Sequence, residues 1–309
     1  MSLKNEGSNA LKESQVQTVK TENDNHPAVS PKKKKKKAHG LLAVEIGAVL
    51  AAILFFGVPF YFVIVNSFKT SGEAAAMNLS WPNAFQAIEN YREVLTLNDG
   101  IVLRAFMNST IITLGAIITL IIVCSMAGFV LQRRPGLSKK LNYVILAGLM
   151  IPPSIVPTIW VLQSIGLFKT MPGIIFLESA LHFSFATLLY TAFVATIPKE
   201  LDEAALIDGC GPFSLFFRII FPLLKPVTST VIVLSSIQIY NDFENMLYFF
   251  PGADNATVQL TLYNFTGLYG TSYHLLFADV IMISIPPLIL FIFFNKKIVA
   301  GMTAGAVKG

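Results

Sequence analysis

The chain has 309 residues, of which 54% are hydrophobic and only 13% charged, a balance outside the range of soluble globular domains. Its formal net charge of +5 comes entirely from residues 1–39, which hold nine lysines against four acids; beyond them fourteen basic residues balance fourteen acidic ones. A nucleic-acid-reading surface is excluded on that balance, and two cysteines, Cys124 in an apolar segment and Cys210 in a polar loop, cannot build a disulfide framework.

Residues 1–31 are rich in Asn, Glu, Ser, Lys and Gln and too poor in large apolar side chains to offset the entropy of ordering. Residues 1–39 therefore read as a disordered basic tail, with 40–309 as one membrane domain. The lysines at 32–37 abut an apolar run at 41–65, whose 25 residues exceed the about 7 to 15 of a signal-peptide core. That run is a retained anchor, and the lysines suit a topology signal beside anionic lipid headgroups.

A helix needs about 20 apolar residues to cross a bilayer. Six stretches qualify, at 41–65, 106–131, 141–165, 173–194, 227–247 and 275–294, and their continuous apolarity excludes the alternating pattern of an outer-membrane barrel. The fold class is all-α integral membrane protein with six transmembrane helices. Placing the N-terminus inside puts nineteen basic residues on the cytoplasmic side against four outside (Lys69, Arg92, Arg104, Lys169), so both termini are predicted to be cytoplasmic. Pro59, Pro152, Pro153, Pro157, Pro286 and Pro287 fall within spans and predict breaks or kinks where protein or a water-filled path satisfies the freed carbonyls.

Most polar connections are short, but the cytoplasmic one between the fourth and fifth spans, 195–226, runs to about 30 residues. Residues 198–208 read as a short helix with acids in its first turn, Gly209 as a left-handed stop, and 213–221 as a second amphipathic helix. A two-helix lever exposing Ala204, Ala205 and Leu206 suits docking into a cleft of a soluble partner; an interfacial helix lying on the membrane is the other reading.

These residues carry a resemblance. Glu203-Ala204-Ala205, three residues, Gly209, nine residues, Ile219, one residue, then Phe221-Pro222 resembles the EAA loop of binding-protein-dependent ABC importer permeases, with Phe221 where that pattern usually has Leu. Asn108-Ser109 opening the second span, Tyr240-Asn241-Asp242-Phe243 late in the fifth, and the ending 301–309 are similar to the shorter, maltose-type carbohydrate permease subunit. The likeness covers residues 41–309. It implies a bacterial cell-membrane protein that forms a heterodimer with a second homologous permease, above an ABC ATPase dimer and below an extracytoplasmic sugar-binding protein.

On that resemblance Glu203, Ala204, Ala205, Leu206, Asp208, Gly209, Ile219 and Pro222 couple the chain to its ATPase, and Thr303, Gly305 and Lys308 in the C-terminal tail offer a second contact. The chain has no phosphate loop of the form G-x-x-x-x-G-K-[ST], so ATP and Mg are expected on the partner ATPase, with no catalytic residue and no metal site here. The polar residues within spans, Gln163, Glu178, His182, Gln238, Tyr240, Asn241 and Asp242, are candidates for a sugar path; inter-helix hydrogen bonding is the competing role. The outer connection 248–274 has no Lys or Arg and is either a passive linker or, on the resemblance, a loop that reaches into the binding protein. The alternative class is a secondary, ion-coupled transporter acting alone; the chain shows no internal repeat and has few spans for it.

Overall fold

A computed structural model describes residues 42, 44–267 and 270–306; the Lys-rich tail and Lys308 lie outside the described residues. Two units are distinguished, ending and beginning at Pro59 and Phe60. The first contains the start of α1 (Val44–Ser67), with a π-helical turn at Ile53–Gly57 just before Pro59. Proline has no N–H and its ring crowds the carbonyl four residues back, and the wider turn relieves that clash.

The second unit carries α2 (Ser71–Ala75), α3 (Ala87–Arg133), α4 (Pro135–Met150), α5 (Ile155–Ser164), α6 (Met171–Val194), α7 (Glu200–Ile207), α8 (Pro212–Leu223), α9 (Lys225–Tyr240), α10 (Glu244–Phe249), α11 (Val258–Thr261) and α12 (Tyr273–Ala306). A two-stranded antiparallel hairpin, β1 (Thr266–Gly267) with β2 (Gly270–Thr271), lies in the connection before α12. Helices dominate because lipid offers the backbone no hydrogen-bond partner, and a helix satisfies its own. The left-handed run Asn98-Asp99-Gly100 divides α3 into a short outer helix and a long span.

The core lies between α3 and α6. Ile112, Ala116, Leu120 and Cys124 recur every four residues along α3 and pack with Ile174, Leu177, Ala186, Tyr190 and Val194 of α6. Gly128 sets the spacing: a Cβ there would meet Tyr190 Cβ at 2.7 Å and the Thr191 backbone nitrogen at 2.9 Å. Close backbone approach through small residues is what drives helix association where lipid and side chains are equally apolar. Ile111, Leu114, Ile118 and Ile122 on α3 are left exposed, facing away from this contact.

Among the described residues four helices, α1, α3, α6 and α12, are long and apolar enough to cross a membrane, and a fifth span results if α8 and α9, bent by 73° at Leu224, count as one. The prolines predicted to interrupt the third span do so: residues 141–165 form two helices, α4 and α5, parted at 151–154. Pro152 and Pro153 lack donors, and Ile151, preceding a proline, turns extended with φ −87° and ψ 114°. The predicted fifth span at 227–247 also breaks, at 241–243 between α9 and α10. By contrast α12 runs through Pro286 and Pro287 without interruption, and Ser284 Oγ donates to the Val280 carbonyl at 2.6 Å one turn above them.

Replacing Gly128 by Leu is expected to destabilise the α3–α6 contact by about 1 to 3 kcal/mol, as overpacking does in cores. The check is the unfolding midpoint of the purified chain in mild detergent; an unchanged midpoint would show that the two helices can part without cost.

Candidate functional site

The connection between α6 and α9 folds as predicted in outline. Glu200, Asp202 and Glu203 occupy the first turn of α7, where the helix dipole favours acids. The chain turns at Gly209, whose φ of +78° a residue with a Cβ adopts only under strain. Gly209 N donates to Leu206 O at 3.1 Å and Cys210 N to Ala205 O at 2.9 Å, so the last α7 carbonyls are satisfied by the turn. Beyond it α8 opens on Pro212 and widens into a π-helical stretch over Leu215–Ile220, which buries Leu215, Phe216 and Ile220 against the α3–α6 core.

One face of this lever is therefore anchored and the other is open. Leu206 is 58% exposed, Ile207 86% and Phe213 72%, an apolar cluster flanked by the exposed Glu203 and Asp208. Pro222 is exposed near the end of α8 and Ile219 half-buried. Ala204 is exposed as predicted, but Ala205 is not: it is buried, packed inward on the helix face that meets α8.

A clasp holds the lever to the end of α3. Arg133 Nε lies 2.6 Å from Asp202 Oδ2, both side chains largely buried, and its Nη2 donates to the Ile197 carbonyl at 3.0 Å. Sequence reasoning counted Arg133 only as one cytoplasmic charge. Its signal was position: an arginine at the inner end of a span, facing an acid in the first turn of the next cytoplasmic helix.

In the membrane region the structure brings together three of the candidate path residues. Glu178 on α6 is fully buried; its Oε1 accepts from Asn245 Nδ2 at 3.3 Å, and Asp242, whose Oδ1 accepts the Asn245 backbone N–H at 2.9 Å, sits beside it. His182 Nδ1 lies 3.7 Å from Glu178 Oε2, one helical turn along. Asn245, unnoticed in the sequence, links the two carboxylates. The end of the α4–α5 break and the start of α10 line a small cavity of about 110 Å³ next to this group, with Ser154, Thr158, Glu244, Asn245 and Phe249 among its walls. Tyr240 does not join it: it is buried in a separate cluster with Ala105, Val258 and Ile283. Gln163, Gln238 and Asn241 are exposed on α5, α9 and the end of α9. Thr303 and Gly305 fall in the backbone of α12, with side chains outside the description.

Residues 118–304 match the family model described as binding-protein-dependent transport system inner membrane component. The chain belongs to that family. It is similar to the melibiose/raffinose/stachyose import permease protein MelC of Bacillus subtilis, with 33% identity over 85% of this chain and 95% of that one. It is also similar to the diacetylchitobiose uptake system permease protein NgcG of Streptomyces coelicolor, with 30% identity over 81% and 84%. The fold matches a chain of a bacterial ABC transporter involved in the import of alginate, with a TM-score of 0.72 and 18% identity over 88% of this chain and 99% of that one. The permease is thus a multi-pass inner-membrane transport subunit and not an enzyme.

Beyond the end of α1 the permease holds a second structure that the sequence did not disclose. Lys69, counted as an outer charge, is buried beyond the end of α1, donating to Asn66 Oδ1 at 3.1 Å, Asn78 O at 2.9 Å and Asn78 Oδ1 at 2.8 Å. Asn90 Nδ2 donates to the Ser67 and Lys69 carbonyls at 2.8 and 2.9 Å, and Thr70 caps α2, its hydroxyl accepting the Glu73 N–H while the Glu73 carboxylate accepts the Thr70 N–H. The Asn83 side-chain amide, 2.7 Å from Glu73 Oε1, holds that carboxyl below its ordinary pKa.

Asp202→Asn removes the charge from the clasp and is expected to weaken the attachment of α7 by about 1 to 3 kcal/mol. Limited proteolysis of inside-out vesicles checks this: residues 195–226 should be cut faster than in the wild type while the spans stay intact. Equal cutting rates would mean that Arg133 does not hold the lever.

Proposed function

We propose that the permease is one membrane subunit of an ATP-driven importer for a sugar or oligosaccharide. The observation that carries this is the lever α7–Gly209–α8, anchored on one face to the α3–α6 core and presenting Leu206, Ile207 and Phe213 between acids on the other. A rigid two-helix element with an exposed apolar end transmits motion of a docked soluble partner to the spans it joins. That partner is an ABC ATPase dimer carrying ATP and Mg, with Glu203 meeting a basic group and the C-terminal residues Thr303, Gly305 and Lys308 as a further contact. The sugar assignment is supported by the relatives MelC and NgcG, an import permease for melibiose, raffinose and stachyose and an uptake permease for diacetylchitobiose.

In this reading α4–α5 and α9–α10 each form one broken span, giving six spans with both termini in the cytoplasm, and a second, homologous permease completes the translocation path. Backbone broken at membrane depth is tolerated where it lines a water-filled cavity, and here the end of the α4–α5 break and the start of α10 line one. About 110 Å³ holds several waters and not an oligosaccharide, consistent with a half-site closed by the second subunit. Glu178, His182, Asp242 and Asn245 would offer hydroxyl-binding groups behind it. An extracytoplasmic sugar-binding protein delivers substrate from above; a structural neighbour was solved in complex with an alginate pentasaccharide-bound periplasmic protein.

Glu203→Lys reverses the charge at the docking end, and Gly209→Pro fixes φ near −65° where the turn holds +78°. Both variants are expected to insert in the membrane at wild-type level and to lose ATP-driven sugar uptake in cells by about 5- to 150-fold, the loss a coupling free energy of about 1 to 3 kcal/mol gives. Normal uptake by Glu203→Lys would remove the docking role assigned to it.

A further inference from the structure

The outer connection between α10 and α12 is bolted to three helices by polar side chains, those on α3 and α12 buried and that on α9 exposed. On α3, Asn108 Nδ2 donates to two loop carbonyls, Asp254 O and Ala256 O, each at 2.9 Å, and Ser109 Oγ accepts the Val258 backbone N–H at 3.0 Å. At the end of α9, Asn241 Oδ1 accepts from Gln259 Nε2 at 3.0 Å, and Phe243 stacks on Tyr263 with centroids 5.3 Å apart. On α12, the fully buried Asp279 places Oδ2 2.7 Å from the Thr261 hydroxyl, which also lies 2.7 Å from Val258 O. Arg104 and Asp254 add an ion pair at 2.7 Å, but with side chains 44% and 93% exposed it contributes little.

These contacts differ from ordinary helix packing in what they hold. Asn108, Ser109 and Asp279 are all buried, and the bonds they make are to one short stretch of loop, residues 254–261, and not to their own helices. Loop carbonyls without partners at the membrane surface cost free energy, so Asn108 is required where the loop descends onto α3. We infer that Asn108, Ser109 and Asp279 are positioning residues that make the outer loop one rigid body with the outer ends of α3 and α12, so that a protein seizing the loop moves those spans. The seizing partner, the extracytoplasmic binding protein, rests on the function proposed above; the latch itself does not.

The test uses the full-length chain in lipid nanodiscs and hydrogen exchange of its amides, comparing wild type with Asn108→Leu, Ser109→Ala, Asp279→Leu and Asp279→Asn. Asn108→Leu and Asp279→Leu should speed exchange in residues 254–261 by about tenfold while α6 stays protected, and Asp279→Asn, whose amide keeps a hydrogen bond to Thr261, should behave as wild type. Unchanged exchange in Asn108→Leu, or equal loosening by Asp279→Asn and Asp279→Leu, overturns the latch. The second arm uses the importer co-purified from its own host through a tag on this chain. There Asn108→Leu should leave basal ATP hydrolysis unchanged and cut its stimulation by the sugar-loaded binding protein about tenfold. Full stimulation with a loosened loop overturns the transmission step. Should the wild-type complex show no stimulation while the exchange effect persists, the latch stands and the importer reading falls, so the two failures are told apart.

Discussion

Within hydrocarbon, every backbone N–H and C=O must find its partner inside the protein. That constraint makes the spans helical, and it also makes each departure from a helix informative. The breaks at 151–154 and 241–243 and the bend at Leu224 leave carbonyls or amides that must be satisfied by side chains, turns or water. The first break and the start of α10 line one cavity, and the bend joins the lever to α9. A membrane protein needing only an anchor would keep its spans whole.

The polar side chains at the two ends of α3 work by the same means. At one end Arg133 reaches to the Ile197 carbonyl and to Asp202, tying down the start of the lever. Towards the other, Asn108 reaches to two loop carbonyls. The long span α3, packed along α6 with Gly128 at the closest approach, therefore connects the lever α7–α8 to the loop before α12. A rigid helix with a polar clasp at each end can carry displacement across the bilayer, which an importer driven from the cytoplasm requires.

Much of this was legible in the sequence. Hydropathy located α1, α3, α6 and α12 because lipid imposes length and apolarity directly, and Gly209 was recognised as a left-handed stop because only glycine takes that conformation freely. The break of the predicted third span was legible in Pro152 and Pro153; that it parts the segment into two separate helices, α4 and α5, was not, since the apolar run continues across them. Ala205 was taken as exposed with its neighbours; a helix of eight residues turns one of any three adjacent positions inward, and here it is the one that meets α8. Arg133 and Asn245 were missed for a common reason. A polar residue near a span end looks like an ordinary boundary residue, and only the fold shows that its partner lies far away in sequence, as with Arg133 and Asp202 or Asn245 and Glu178.

The central claim is that α7 and α8 form the surface through which an ATPase drives this permease. It is tested most directly by placing a photo-crosslinking residue at Ile207, the most exposed apolar position on the lever, in the full chain in its native membrane. The account predicts an adduct with an ABC ATPase whose yield changes when ATP is added. Adducts with lipid alone, insensitive to nucleotide, would contradict it and make the lever an interfacial helix.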